Sequence, residues 1–320
     1  MRSRLDPSRR ASRTQTTLRR PVIFEGRGAH SNEPVRLTLS PAGAGTGVAF
    51  LRADAPAEAE ALVEAHWSRV TATRLRTRIG TGAASVSTIE HLMAAFAGLG
   101  VDNVLVELDG PEVPAMDGSA RAFVAAIEEA GLKLLAAPRR VLRILEPVRV
   151  REGASFAELS PSSSEGLRLD VEIDFPSALI GRQRLTLALT PSMFKRDLAP
   201  ARSFGFIRDA ERLWREGLAL GATLENSVIL DDERVLNPQG LRFPDEFVRH
   251  KMLDVVGDLA LAGAPIEGAF KSYRGGHKLN LTLVEKLMTT PANYAYIGET
   301  GQRQGDADQS ERFMRGADRN

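Results

Sequence analysis

One helix-length stretch constrains this chain more than any other. Residues 244–262 carry Val248, Met252, Val255, Leu259 and Ala262 at the spacing of a single buried helix face. His250, Asp254 and Asp258, at i, i+4 and i+8, form a second stripe more than about 100° around the same helix. Side chains at i and i+4 have Cβ atoms about 5–6 Å apart, near enough to reach one ion. Neutral imidazole with carboxylate is a donor set that suits Zn²⁺. The same spacing also describes a solvated face with a His–Asp pair, so the stripe nominates a site without deciding it.

Composition narrows the chemistry. The chain has 320 residues, enough for one large or two medium domains, and is 43% hydrophobic and 26% charged, as globular proteins are. No run of about 18 apolar residues occurs, so no membrane span is expected. Cys is absent, which removes disulfides, thiolate catalysis and Cys metal sites and leaves His and carboxylates as ligands. A reducing cytoplasm, the expected location, is compatible with that. The net charge of +1 hides an Arg-rich start: residues 1–20 hold seven Arg and one Asp, so the remainder is net −5. With no apolar stretch, this start is no secretory signal. It has the composition of a transit peptide, and a disordered basic extension is the simpler expectation. No nucleic-acid partner is expected, because the body is mildly acidic and lacks aromatic–basic interleaving.

Element order points to an α+β fold of two domains. Residues 35–39 alternate as a strand, with 47–51 as the expected partner. A helix follows at about 88–98, a strand at 103–108, and a helix capped by Ser119 that stops near Gly131. Residues 141–151, 167–175 and 184–189 alternate as strands of a second unit, and Thr190-Pro191 starts a short helix. A helical stretch at about 206–218 and a hairpin near 226–236, turning at Asp231-Asp232, precede the long helix. Strands then helices, twice, argue for two α+β layers rather than a doubly wound sheet. The expected division is 1–20 extension, 21–137 first domain, 138–290 second domain and 291–320 disordered tail, with a joint at Ala136-Ala137-Pro138.

Two further segments carry reactive side chains. In Ser87-Thr88-Ile89-Glu90-His91-Leu92-Met93, His91 points away from the apolar face of Ile89, Leu92, Met93 and Phe96. Ser87-x-x-Glu90 also reads as a capping box, which would account for Glu90 by local structure. In Tyr273-Arg274-Gly275-Gly276-His277-Lys278, a His follows two glycines where backbone can approach a ligand, and Arg274 offers an anion contact, although a plain turn has the same pattern. His66 suggests only packing, and His30 is ambiguous.

Taken in order, these segments resemble the bacterial UDP-3-O-acyl-N-acetylglucosamine deacetylases. The resemblance runs from residue 21 to about 287. It is carried by Ser87–Leu92 with Ala97-Gly98-Leu99-Gly100, by Pro111–Ala120, by Ala201–Phe206 and Gly240-Leu241-Arg242-Phe243, and by Asp245–Asp254 with Gly257-Asp258-Leu259. Gly276-His277 with Leu279-Asn280 closes it.

The resemblance implies a single zinc ion held by His91, His250 and Asp254, with Glu90 as general base. It implies that His277 is the charged partner and leaving-group acid, held so by Asp258, with Ser203 as a hydroxyl donor. It implies Lys251 and Arg274 facing the diphosphate, Phe175 stacking on uracil and Phe204 lining the sugar and acyl site. Two α+β domains flank the site in that family, and the insert near 206–229 forms a passage for the acyl chain. The expected substrate is an acylated UDP-amino sugar, and a monomer is expected. Ser203 stands where Thr is usual, Gly26–Asn32 departs from the usual Gly-x-Gly-Leu-His-Thr-Gly, and Lys278 and Leu281 are also unusual. The alternatives are a zinc amidase of this fold acting on another acylated sugar, a nucleic-acid-associated protein using the Arg-rich arm, or a catalytically dead relative.

Overall fold

The computed structural model describes residues 14–56 and 61–298. Its first half contains β1 (Thr14–Leu18), β2 (Val22–Arg27), β3 (Pro34–Pro41), β4 (Val48–Arg52), β5 (Leu62–Glu64), β6 (Val70–Ala72), β7 (Arg78–Ile79) and β8 (Val86–Ser87). Helix α1 (Glu90–Leu99), strand β9 (Val104–Leu108), helix α2 (Arg121–Ala130) and strand β10 (Leu132–Pro138) complete it. Five of these strands form a sheet in the order β2-β3-β9-β4-β5. Along β3 the pleat buries Val35, Leu37 and Leu39 and turns Arg36 to solvent, the alternation of a half-covered sheet. Helix α2 closes that face, its Phe123 ring edge-on to Phe24 at 5.1 Å.

The second half contains β11 (Val141–Ile144), β12 (Val148–Glu152), β13 (Ser155–Ser160), β14 (Leu167–Asp174), β15 (Arg182–Ala188), β16 (Phe204–Phe206), helix α3 (Ala210–Arg215) and β17 (Val228–Leu230). Helix α4 (Glu246–Ala260), strand β18 (Ile266–Tyr273), helix α5 (His277–Met288) and strand β19 (Tyr294–Ile297) follow. Strand β18 is the hub, antiparallel to β13 on one side and parallel to β14 on the other, with β11 on its first residues. Helix α4 lies on β14 and β15, helix α5 on β12 and β13, and α1 from the first half packs along α4. The two α+β units thus meet helix to helix.

The structure departs from the sequence-based expectations in several places. β4 is not the neighbour of β3; β9 lies between them, antiparallel to β3 and parallel to β4. A parallel pair needs a long crossover, and α1 lies within the connection that supplies it. The expected strand at 141–151 breaks around Pro147, because proline cannot donate to a ladder. The expected helix at 206–218 shrinks to α3 preceded by a 3₁₀ turn at Ile207–Asp209. The expected hairpin does form, Asp231 accepting from the Glu233 and Arg234 N–H groups at 2.7 Å each and Leu230 bridging Val235 in antiparallel, while β17 also pairs in parallel with β16 on its other edge. Thr190 caps the Pro191–Met193 turn as its sequence suggests, and Ser119 Oγ accepts the Arg121 N–H at the start of α2.

The expected terminal boundaries also shift. Residues 14–18, assigned above to a disordered extension, form β1, which pairs with β10 and so covers the expected joint at 136–138. Residues 294–297, assigned to the tail, pair with β11. Residues 1–13 and 299–320 lie outside the described residues, and so does the rest of the arm and tail expectation.

Leu18 on β1 is fully buried. Leu18→Ala should therefore lower unfolding stability by about 2–5 kcal/mol in a denaturant titration. An unchanged midpoint would show that this strand adds nothing to the fold.

Candidate metal centre

The polar stripe of α4 is not a solvated face. His250, Asp254 and Asp258 are all buried, as is the apolar stripe behind them. The first turn of α1 covers them, and Gly257 makes this possible. A Cβ at that position would stand 2.0 Å from the Glu90 carbonyl oxygen, so only glycine lets the two backbones come this close. The approach brings Glu90 and His91 over Asp254 and Asp258.

The capping box expected at Ser87 does not form. The cap of α1 is Ile89, with no side-chain hydrogen bond, and Glu90 Oε2 accepts the Thr77 N–H at 3.0 Å. Glu90 is buried and needs another explanation than local structure. Thr88, just before the helix, has φ 58°, a left-handed conformation that a β-branched residue rarely adopts. Its hydroxyl donates to Glu112 Oε1 at 2.6 Å. Glu112 also accepts the His30 and Ser31 N–H groups, so it fastens the entry to α1 onto the 28–32 loop.

Three donor atoms converge. Asp254 Oδ1 lies 3.6 Å from His91 Nε2 and 3.5 Å from His250 Nε2, and all three ligating atoms fall within 4.8 Å of one another. His250 Nδ1–H donates to the Ala201 carbonyl at 3.2 Å, which leaves the Nε2 lone pair toward the cluster. Burial pulls His250 down to about 4, so it is neutral, the form a metal requires. Burial alone would raise Asp254, but the Lys251 ammonium holds it well below the ordinary carboxylate range. Its Oδ1 is buried with no hydrogen-bond partner among the described residues. A buried carboxylate oxygen facing two imidazole nitrogens with no donor of its own is a place a cation fits. The donor set has two nitrogens and an oxygen and no sulfur, as zinc accepts.

A second cluster adjoins the first. His277 Nδ1 pairs with Asp258 Oδ2 at 2.8 Å, and His277 Nε2 stands 3.9 Å from both Glu90 Oε1 and Asp254 Oδ2. Burial alone would lower His277, yet Asp258 outweighs it and holds the imidazole at about 9. Burial pushes Glu90 up, which makes it a stronger base once ionised.

The remaining nominated residues divide. Ser203 Oγ donates to the Gly118 carbonyl at 3.3 Å. The Phe204 ring lies 5.7 Å from Phe175, 5.0 Å from Phe247 and 6.1 Å from His250, so the two nominated aromatics share one wall beside the cluster. Lys251 Nζ is 2.6 Å from Asp254 Oδ2, and its positive charge neutralises that carboxylate. Arg274 lies farther out, half exposed and paired with Asp174 at 2.9 Å. His66 contacts Ser68 Oγ at 2.8 Å and takes no part.

Sequence reasoning missed two positioning groups. Thr77 donates its N–H to Glu90 and its hydroxyl to Asp258 Oδ1 at 2.7 Å, linking the two carboxylates from one fully buried residue. It lies in an irregular Thr/Arg stretch with no period to betray it. Arg202 and Glu246, an ion pair at 2.9 Å and almost wholly buried, hold the 201–204 segment against the first turn of α4. Both residues sat inside the quoted motifs, but nothing in their spacing signalled a pair 44 positions apart.

Residues 15–289 match the UDP-3-O-acyl N-acetylglycosamine deacetylase family. This chain belongs to that family. Among similar proteins, the UDP-3-O-acyl-N-acetylglucosamine deacetylases of Brucella ovis and Brucella melitensis are each 48% identical over 284 residues, 88% of this chain and 98% of the relative. The deacetylase match begins within β1 and ends just past α5, so it spans both α+β units and the helix contact between them.

Gly257→Ala should displace α1 from α4 and spread the donors. After incubation with zinc, the purified variant is expected to retain less metal than the parent and to melt several degrees lower, a shift of about 2–4 °C for each kcal/mol. Unchanged metal content in this variant would refute the role of the helix contact.

Proposed function

We propose that this chain hydrolyses the N-acetyl group of UDP-3-O-acyl-N-acetylglucosamine, releasing acetate, in lipid A biosynthesis, with one zinc ion held by His91, His250 and Asp254. The observation that carries the reading is the buried Asp254 oxygen left without a donor between two imidazole nitrogens. Bound there, zinc would polarise the amide carbonyl and lower the pKa of a water toward about 7–9.

The chain's own residues account for the proton traffic. Thr77 occupies Glu90 Oε2, which leaves Oε1 to take a proton from the attacking water. Asp258 occupies His277 Nδ1 and keeps the ring charged, which leaves Nε2–H to stabilise the oxyanion and then protonate the departing amine. These two atoms stand 3.9 Å apart. As the C–N bond breaks, the new C–O bond completes acetate and the amine leaves neutral. Ser203 is assigned as a hydroxyl donor, a role for which its Oγ–H must turn from the Gly118 carbonyl, Phe204 as the lining of the sugar and acyl site and Phe175 as the ring that stacks on uracil. Lys251 and Arg274 are the diphosphate contacts, and residues 206–229 the acyl passage. No helix among the described residues is long and apolar enough to cross a membrane, and a cytoplasmic monomer belongs to the same proposal.

Glu90→Gln should lower kcat/KM by about 10²–10⁴-fold with metal content intact, because Glu90 is not a ligand. Near-native acetate release from the UDP-sugar by that variant would end its assignment as base. Activity that needs charged His277 is present below about 9 and lost as pH rises through it. Asp258→Asn removes the charge that raises this pKa, so the alkaline limb of kcat/KM should move to lower pH. An unmoved limb would assign it to another group.

A further inference from the structure

His30 has no part in the chemistry above, yet it is buried at the seam between the first unit and the insert. Three successive N–H groups of the insert point at His30 and the residue before it, two of them at His30 itself. The Ala219 N–H donates to His30 Nδ1 at 3.1 Å, the Leu220 N–H to the His30 carbonyl at 3.1 Å, and the Gly221 N–H to the Ala29 carbonyl at 3.1 Å. A Cβ on Gly221 would stand 2.2 Å from the Gly28 carbonyl oxygen, so the two backbones are in direct contact. Ala219 has φ 55°, a strained conformation for alanine that persists only where its surroundings fix it. The side-chain acceptor of His30 is one of the groups that fix it.

The other end of this loop leads to the catalytic helix. Glu112 accepts the His30 N–H at 3.0 Å, the Ser31 N–H at 2.8 Å and the Thr88 hydroxyl at 2.6 Å. Thr88 precedes Glu90 and His91 by two and three residues. One buried carboxylate therefore references both the start of α1 and the loop that holds the insert.

We propose that His30 is a positioning residue that clasps the insert at Ala219, fixing the wall of the acyl passage relative to the catalytic centre. The clasp needs a neutral ring, because only an unprotonated Nδ1 can accept the Ala219 N–H. Burial supplies it, pulling His30 down to about 4 against the opposing pull of Glu112. The consequence for acyl chains rests on the reading of residues 206–229 as the passage.

Two substitutions separate the hydrogen bond from simple packing. His30→Asn is smaller but places an acceptor oxygen close to where Nδ1 stands. His30→Phe keeps the ring volume and loses the acceptor. Each full-length, metal-loaded variant is compared with the parent in two measurements: amide hydrogen exchange of residues 219–221, and the ratio of kcat/KM for long-acyl over short-acyl UDP-sugar substrates. His30→Phe should speed exchange at Ala219 by about two- to tenfold, the value of one hydrogen bond, and reduce the chain-length ratio. His30→Asn should keep both near the parent values. Faster exchange in His30→Asn with parental exchange in His30→Phe would overturn the clasp in favour of packing, and parental exchange in both would overturn it outright. Faster exchange in His30→Phe with an unchanged chain-length ratio would uphold the clasp and overturn the passage reading instead.

Discussion

Helix α4 is buried on both faces, and the rest of the structure depends on how its second face is covered. A buried stripe of His, Asp and Asp is costly unless each group finds a partner, and a single closely packed helix supplies the covering here. Gly257 lets the backbone of α1 reach α4, which sets Glu90 and His91 against Asp254 and Asp258. The two α+β units could meet in many ways. This one is selected by a glycine and by the polar groups that must be satisfied once water is excluded.

The buried charges satisfy one another in a definite order. Lys251 takes one oxygen of Asp254, and the other faces the two imidazoles without a donor. Asp258 receives Thr77, His277 and Asn280 together. Glu90 receives the Thr77 N–H on one oxygen and keeps the other free beside His277. In the function proposed above, this asymmetry serves the chemistry: one carboxylate oxygen is left for a cation, one for a proton, and Asp258 holds the imidazole beside them charged. Surrounding pairs such as Arg202–Glu246 keep the segment that carries Ala201 and Ser203 in register with His250.

The legible parts of the sequence were those with local period or dense motifs. The two stripes of α4 and the start of α1 could be read because spacing of three and four residues reports one helix face directly, whereas His277 stood out only by the two glycines before it, and the helix α5 that it starts was not read. Strand order could not be read: β9 inserts between β3 and β4 because pairing across more than 50 residues leaves no local trace. Thr14–Leu18 was hidden by the arginines around it, since a five-residue strand carries too little alternation to stand out from a basic arm. Thr77 and the His30 clasp were invisible for a related reason. Their partners are Glu90, Asp258 and Ala219, the last of them 189 positions from His30, and a single hydrogen bond at that distance imposes no pattern on the chain.

The central claim is that two helices from separate units bring one carboxylate and two imidazoles to a single zinc ion. X-ray absorption at the zinc edge of the purified, zinc-loaded protein tests this directly, with His91→Ala as the comparison. The account predicts one zinc per chain, a shell of nitrogen and oxygen with the scattering of two imidazoles, and loss of that signal in His91→Ala. A zinc spectrum with a different number of imidazoles, or one that survives His91→Ala unchanged, would contradict it.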